Sequence, residues 1–262
     1  SLNRNNELIA NHLRNGEMVV TVEDKQVCVF KHRRKVVLLP ISEIPITYNG
    51  ELTCNIENSL AAIAGLLALA VPVHTIRSGL MSFKPSLANK GRFSFFNMGD
   101  FQVMLDYGHN LCAYSSVIQF ISTINAERLV GIIGMPGDRL EQSIFDVGRI
   151  CAGIFSKIII KEDGDLRGRK PGEVANILYS GVVAGGCNKT NIEIILSETE
   201  ALQSALKTAL PGDLIVLFFE DYAKVLPLLQ AGRRIPGLNL TEIPLSNAEQ
   251  PIAIENGYIY PY

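Results

Sequence analysis

The rhythm of apolar and polar positions changes twice along the chain. Residues 18 to 46, MVVTVEDKQVCVFKHRRKVVLLPISEIPI, carry β-branched runs broken by polar groups at Glu23-Asp24-Lys25 and Lys31 to Lys35. That alternation predicts strands joined by hairpin turns. In NIENSLAAIAGLLALAVP, which Asn55 opens, Ala, Leu and Ile then recur on most faces until Pro72, predicting a largely buried helix over 56 to 69. A shorter helix is expected over 73 to 82. The opening SLNRNNELIANHLRNGEMVV has no hydrophobic pattern of its own before Val19 and gives no predicted element.

From Arg92 onward β-rich runs alternate with helical ones. FSFF and FQVMLDY precede a helix near 111 to 124, LVGIIGM one over 138 to 154, and KIIIKED one over 171 to 184. IEIIL is followed by a helix over 198 to 209 and DLIVLFF by one over 221 to 231. The runs LVGIIG, KIII and LIVLFF are continuously apolar, as expected of strands covered by helices on both faces. The fold class is therefore α/β, with a doubly wound, mostly parallel sheet. The polar, aperiodic stretch PSLANKG, residues 85 to 91, reads as a linker. It divides a small α+β unit over 1 to 85 from an α/β domain over 91 to 232, leaving a proline-bearing tail over 233 to 262.

Composition narrows the function classes. With 47% hydrophobic and 19% charged residues, the 262-residue chain is neither disordered nor of low complexity. Lys and Arg number 24 against 26 for Asp and Glu, so there is no global cationic field for nucleic acid or an anionic membrane, and neither is an expected partner. The stretch from Leu60 to Val73 is too short to span a bilayer and no basic-then-apolar leader opens the chain, which reads as soluble and cytoplasmic. Five scattered cysteines, Cys28, Cys54, Cys112, Cys151 and Cys187, form no CxxC or Cys/His cluster and read as reduced thiols. The start at Ser1 reads as a cut from something longer.

In an open parallel sheet, ligands sit beyond the carboxyl ends of the strands. After FQVML comes DYGHN, placing Asp106, His109 and Asn110 at such an end, with Gly108 allowing a sharp turn. Asp106 could bond a ribose hydroxyl or a metal-bound water and His109 a phosphate; alternatively Asp106 or Asn110 only caps the next helix. The turn GMPGDR reads as a plain βα connection rather than a phosphate loop, since it lacks Gly-x-x-x-x-Gly-Lys-Ser/Thr. In KEDGDLRGRKPGE, Glu162, Asp163, Asp165, Arg167 and Arg169 crowd one loop. Both signs together suit a zwitterionic ligand, and equally a solvated loop whose charges satisfy one another. Glu220 and Asp221 after LIVLFF read as helix caps. No nucleophile elbow, His-Glu-x-x-His pair or complete dinucleotide fingerprint is present.

The string NIENSLAAIAGLLALAVPVHTIRSGLMSF, then GRFSFF, then MLDYGHN resembles, in order and spacing, the junction between the central and C-terminal domains of Mur-type ligases. Within that superfamily GIIGMPGDR, IIIKEDGDLRGRKPGEVANIL and PGDLIVLFFED look most like the C-terminal half of the cyanophycin synthetase family. The resemblance implies an ATP-dependent amide ligase using ATP and Mg2+, in which an acyl phosphate is attacked by an amino acid. It further implies arginine as amine donor, a poly-aspartate-type acceptor, and a homo-oligomeric intact enzyme. Carried over residue by residue, it places Asn58 on the adenine, has Arg92 reach the nucleotide across the domain junction, and completes the nucleotide site with Asp106 and His109. Asp163, Asp165 and Arg167 fall near the amine donor, and no metal ligand or catalytic residue is assigned.

One departure is large. The family's P-loop, its magnesium-binding carboxylate and its catalytic lysine have no counterpart in this sequence, so residues 1 to 85 resemble only the last part of the central domain. The chain alone is therefore expected to be inactive. Gly108 stands where the motif commonly has alanine, a minor departure. Two other readings stay open: a non-catalytic module that keeps the fold for binding, and a Mur-type ligase with a different amino acid.

Overall fold

The computed structural model describes residues 1–84 and 89–232. The expected linker thus lies partly, and the expected tail wholly, outside the described residues. The chain opens with a helix that the sequence pattern did not reveal, α1 (Glu7–Asn15), started by the Asn6 side chain accepting from the Leu8 N–H and ended by Gly16 at φ 74°. Its helix-spaced pair Ile9 and Leu13 packs on Val19, Cys28 and Phe30. Two contacts a turn apart suffice here because the adjoining sheet supplies the rest of the apolar surface.

That sheet is the antiparallel set β1 (Val19–Glu23), β2 (Gln26–Lys31) and β3 (Arg34–Pro40). The hairpins turn at Asp24-Lys25 and His32-Arg33, as the polar breaks predict, and all four turn residues have positive φ. Mirror-image turns of this kind match the right-handed strand twist. The second region of the chain adds α2 (Thr53–Ala68) and α3 (Val73–Ser82). α3 lies where its pattern put it, whereas α2 begins three residues ahead of the expected Ile56. Asn55 is not the opening cap; it sits buried inside the first turn and donates to the Ile46 carbonyl at 2.9 Å. Val27, Leu39, Ile44, Ile63 and Ile76 form the core between these helices and the small sheet.

The remaining strands are β4 (Ser94–Asn97), β5 (Gln102–Asp106), β6 (Arg128–Ile133), β7 (Lys157–Ile160), β8 (Ile192–Ile194) and β9 (Asp213–Phe218). They form one six-stranded sheet in the order β4-β5-β9-β6-β7-β8, parallel throughout except for β4 on the edge. Helices α4 (Leu111–Ile121), α5 (Glu141–Ala152) and α6 (Glu173–Ala184) carry residues into one core, with Met104, Ile133, Ile158, Val216 and Phe218. Helices α7 (Glu198–Thr208) and α8 (Tyr222–Gly232) close the other over Val103, Leu105, Ile132 and Leu217. Successive residues of β5 and β9 enter opposite cores, which is the physical reason for their continuous apolar runs.

The chain crosses from β5 to β6 on one face, continues outward to β8, then returns on the other face to insert β9 between β5 and β6. That reversal brings the carboxyl ends of β5 and β9 side by side, the place where open α/β sheets bind ligands. The small α+β region leans on the same end: the Tyr48 hydroxyl donates to the Phe93 carbonyl at 2.5 Å, and its ring lies 5.2 Å from Phe120 and 5.8 Å from Phe95.

Candidate functional site

A cleft of about 630 Å³ opens at this sheet end, walled by the segment before β4, the residues after β5 and β9, and Arg167 from the loop after β7. Arg92 lies with its guanidinium 5.0 Å from the ring centroid of Tyr107 and donates to the Tyr107 carbonyl at 3.2 Å. The Tyr107 ring in turn rests 5.5 Å from Phe219 and 5.4 Å from the His109 ring, whose Nδ1 is 3.1 Å from the same carbonyl. Arg92 and His109 are thus gathered around one aromatic side chain. Asn110, between His109 and α4, caps that helix by accepting from the Ala113 N–H at 2.8 Å.

Asp106 is not the exposed carboxylate that its strand-end position predicts. It is 2% exposed and accepts from the Phe93 N–H at 3.1 Å, so it braces the strand beside Arg92 from below. Burial pushes its carboxyl up to about 6, while the Phe93 N–H and the nearby Arg92 pull it back down. Gly108 has another role than the expected sharp turn. A Cβ there would come within 2.9 Å of the Phe218 ring and 3.2 Å of Asp106 Oδ1, so the small residue is demanded by close approach.

The mixed-charge loop is mostly spoken for by its own fold. Glu162 is buried and accepts from the Gly172 N–H at 2.8 Å and the Ala175 N–H at 3.0 Å, capping α6. Asp163 pairs with Lys161 at 2.8 Å, and Asp165 accepts from the Arg167 N–H at 2.9 Å. Arg167, at φ 48°, pairs with Asp138 at 2.7 Å while still lining the cleft. Arg169 donates to the Gly137 carbonyl at 2.7 Å and pairs with Glu173 at 2.5 Å. A Cβ on Gly137 would meet the Leu166 carbonyl oxygen at 2.2 Å, so the GMPGD turn is filled by this loop and is a plain connection.

Glu220 and Asp221 also line the cleft, but both carboxylates hold backbone. Glu220 accepts from the Gly164 N–H at 2.6 Å, and Asp221 caps α8 by accepting from the Ala223 N–H at 3.0 Å. The cleft thus carries four cations, Lys90, Arg92, Arg167 and Lys224, against the two carboxylates, with Lys224 paired to Asp221 at 3.2 Å. Sequence reasoning missed Lys90, Lys224 and the aromatic Tyr107; the GRF and EDY strings that flank them were the available signal. Asn58 is not among the cleft residues. It is exposed on α2, donates to Asn55 Oδ1 at 3.2 Å, and borders a separate apolar groove of about 430 Å³ between α2 and α3, with Ile46, Leu66 and Phe83.

The arrangement can bind an anion beside an exposed aromatic face. Among the described residues no group of three or more His, Cys, Asp or Glu is placed to hold a metal ion.

Residues 91–218 match the family model described as Mur ligase, glutamate ligase domain. That segment is a Mur ligase C-terminal domain. Among its relatives, a cyanophycin synthetase of Crocosphaera subtropica is 34% identical over 238 residues, covering 90% of this chain and 27% of that one. A cyanophycin synthetase of Geminocystis herdmanii is 35% identical over 232 residues, covering 88% and 26%. The chain spans about a quarter of the length of these curated relatives. Of solved structures, the murein peptide ligase of Psychrobacter arcticus aligns with a TM-score of 0.56 at 17% identity over 86% of this chain and 46% of that one. Folylpolyglutamate synthase of Mycobacterium tuberculosis complexed with ADP aligns at 0.57 and 15% over 84% and 48%. These two bear out the mostly parallel α/β fold. No helix among the described residues is long and apolar enough to cross a membrane.

Proposed function

We propose that this chain is the C-terminal part of an ATP-dependent amide ligase resembling cyanophycin synthetase, and that the cleft at β5 and β9 receives the nucleotide. The observation that carries the reading is the juxtaposition of Arg92 and Tyr107, with Lys90, Arg167 and Lys224 around the same space. Fixed cations at a sheet end favour phosphate oxygens, and Arg offers two parallel donors to them. Likeness to cyanophycin synthetases over nine-tenths of the chain, and the fold shared with a synthase solved with ADP, support the same reading.

ATP transfers its terminal phosphate to an aspartate side-chain carboxylate of a poly-aspartate acceptor, leaving ADP, and the amine of arginine attacks the acyl phosphate, losing a proton and releasing inorganic phosphate as the amide bond forms. Arg92 holds phosphate charge as it moves toward the leaving group, Tyr107 and His109 present the nucleoside end, and Asp106 acts from beneath by fixing the Phe93 backbone. Asp163 and Asp165, engaged by Lys161 and the Arg167 N–H, shape the loop on the amine donor's side, and Arg167 alone of the three lines the cleft, between donor and phosphate. The adenine contact expected of Asn58 is no part of this nucleotide site, since Asn58 lines the separate α2–α3 groove. Magnesium would be held by residues outside the described part of this chain and would shield the phosphate charge. Closure over the nucleotide keeps water from the acyl phosphate.

The test is a phosphate-release assay with ATP, magnesium, arginine and poly-aspartate. The whole protein containing this chain releases phosphate only when arginine is present, and the Arg92→Ala variant loses roughly 10- to 100-fold in kcat/KM for ATP, the worth of a hydrogen bond to a charged group. This chain alone, without a phosphate loop, releases none. Phosphate release indifferent to every amino acid sinks the ligase reading, and turnover by the chain alone at roughly 1 to 1000 per second sinks the assignment of the phosphate-binding machinery elsewhere.

A further inference from the structure

Beneath the cleft lies a buried cation that the nucleotide reading does not use. Lys161, the residue after β7, is 1% exposed. Its aliphatic stem passes over Gly134, where a Cβ would come within 2.6 Å of Lys161 Cε. Its Nζ lies 2.8 Å from Asp163 Oδ1 and 2.9 Å from Glu198 Oε2. Glu198 begins α7, and its two oxygens accept the backbone N–H groups of Glu220 at 2.6 Å and Asp221 at 3.1 Å. Glu220 then reaches back to the Gly164 N–H at 2.6 Å. The result is a closed ring of contacts joining the loop after β7, the start of α7 and the turn after β9.

We propose that Lys161 and Glu198 are positioning residues that hold the Arg167-bearing loop and the Glu220–Lys224 wall of the cleft at a fixed separation. The inference rests on the reading of this cleft as the ligand site. The two walls are loops beyond strands that are not direct neighbours, since β6 lies between β7 and β9, so no strand pairing reaches from one loop to the other. The ring of charge-assisted bonds does so instead. Burial alone would lower the Lys161 ammonium, but the charges of Glu198 and Asp163 outweigh it and hold the group above the ordinary lysine value, so it stays charged. Removing that charge leaves Glu198 buried without its counter-ion and still bound to two backbone N–H groups. The group relieves itself by protonation or by turning outward, and either route loosens the Glu220–Asp221 turn.

The test compares wild type, Lys161→Met and Glu198→Gln of the 262-residue chain by two readouts. Amide hydrogen exchange at Gly164, Glu220 and Asp221 reports the ring without any ligand, and an NMR titration with ADP reports the cleft. In Lys161→Met, exchange at these amides is expected to accelerate at least tenfold while the amides of β5 and β9 stay protected. ADP affinity is expected to fall roughly 10- to 100-fold, as displacements of about 1 Å in a binding constellation do. Glu198→Gln, which keeps the side-chain shape and one acceptor oxygen, is expected to accelerate at least one of the Glu220 and Asp221 amides; it decides the matter should Lys161→Met fail to fold. Unchanged exchange at Glu220 and Asp221, or wild-type ADP affinity in both variants, overturns the proposal. If wild type binds no ADP, the cleft reading has failed, and exchange alone then decides whether the ring sets the walls.

Discussion

Asp106→Asn should make the chain more stable at neutral pH, although it changes a residue of the proposed site. The wild-type carboxyl is buried against Phe93 and its folded value is raised from the ordinary 3.8 to about 6, chiefly by burial. The folded chain therefore holds this proton more tightly than the unfolded one, and stability falls as pH rises between those two values, remaining low above about 6. At about 1.4 kcal/mol for each pH unit, the gap amounts to about 3 kcal/mol at pH 7. Asparagine is uncharged, nearly isosteric, and keeps an oxygen that accepts the Phe93 N–H, giving up only the second acceptor that faces the Gly108 N–H, so it removes most of this cost without opening a cavity. Urea denaturation of both chains at about pH 4 and pH 7.5 reads the effect. The two should have similar stability at the acid end, with the variant ahead by 2 to 3 kcal/mol, roughly, at the other. A variant less stable than wild type at pH 7.5, or a difference independent of pH, refutes the argument that burial dominates at this carboxyl.

Other changes probe the scaffold around the cleft. Glu162→Ala removes the side chain that caps α6 through the Gly172 and Ala175 N–H groups, and should lower unfolding stability by about 1 to 2 kcal/mol in the same denaturation assay. Tyr114→Phe deletes a buried hydroxyl that both donates to the Gly134 carbonyl at 2.7 Å and accepts from its N–H at 3.1 Å, for an expected loss of about 1 to 3 kcal/mol with the stack on Phe218 retained. Lys25→Gly relieves a non-glycine residue at φ 58° in the first hairpin and should raise the thermal midpoint, corresponding to about 0.5 to 1 kcal/mol.

Much of the α/β sheet was legible because both its faces are covered. A strand such as KIII that is apolar at every position has few other homes than the centre of a wound sheet, and α3 and the two hairpins were equally well marked by Pro72 and by the polar breaks. Helix α1 was not legible, since its burial rests on Ile9 and Leu13 alone and on a sheet folded from later residues. The candidate site was legible as a place on the sheet but not as a set of roles. DYGHN marks the end of β5, yet nothing in the string distinguishes Asp106, which points into the protein, from His109, which stays at the surface. The charge run after β7 likewise hides its own partition: Glu162 caps a helix, Asp163 neutralises Lys161, and Arg167 faces the cleft. Lys161 and Glu198 belong to different strand-helix units, and only the pairing of β7 with β8, which continues past both strand ends, makes them neighbours.

The cleft between Arg92, Tyr107 and the turn after β9 is proposed to receive a nucleotide. An NMR titration of the isotope-labelled chain with ADP into the millimolar range, repeated with Arg92→Ala, tests it most directly. Saturable shifts clustered at Arg92, Tyr107, His109 and Lys224 are expected, and they disappear in the variant. Shifts confined to the α2–α3 groove, or a response that survives the loss of Arg92, would contradict it.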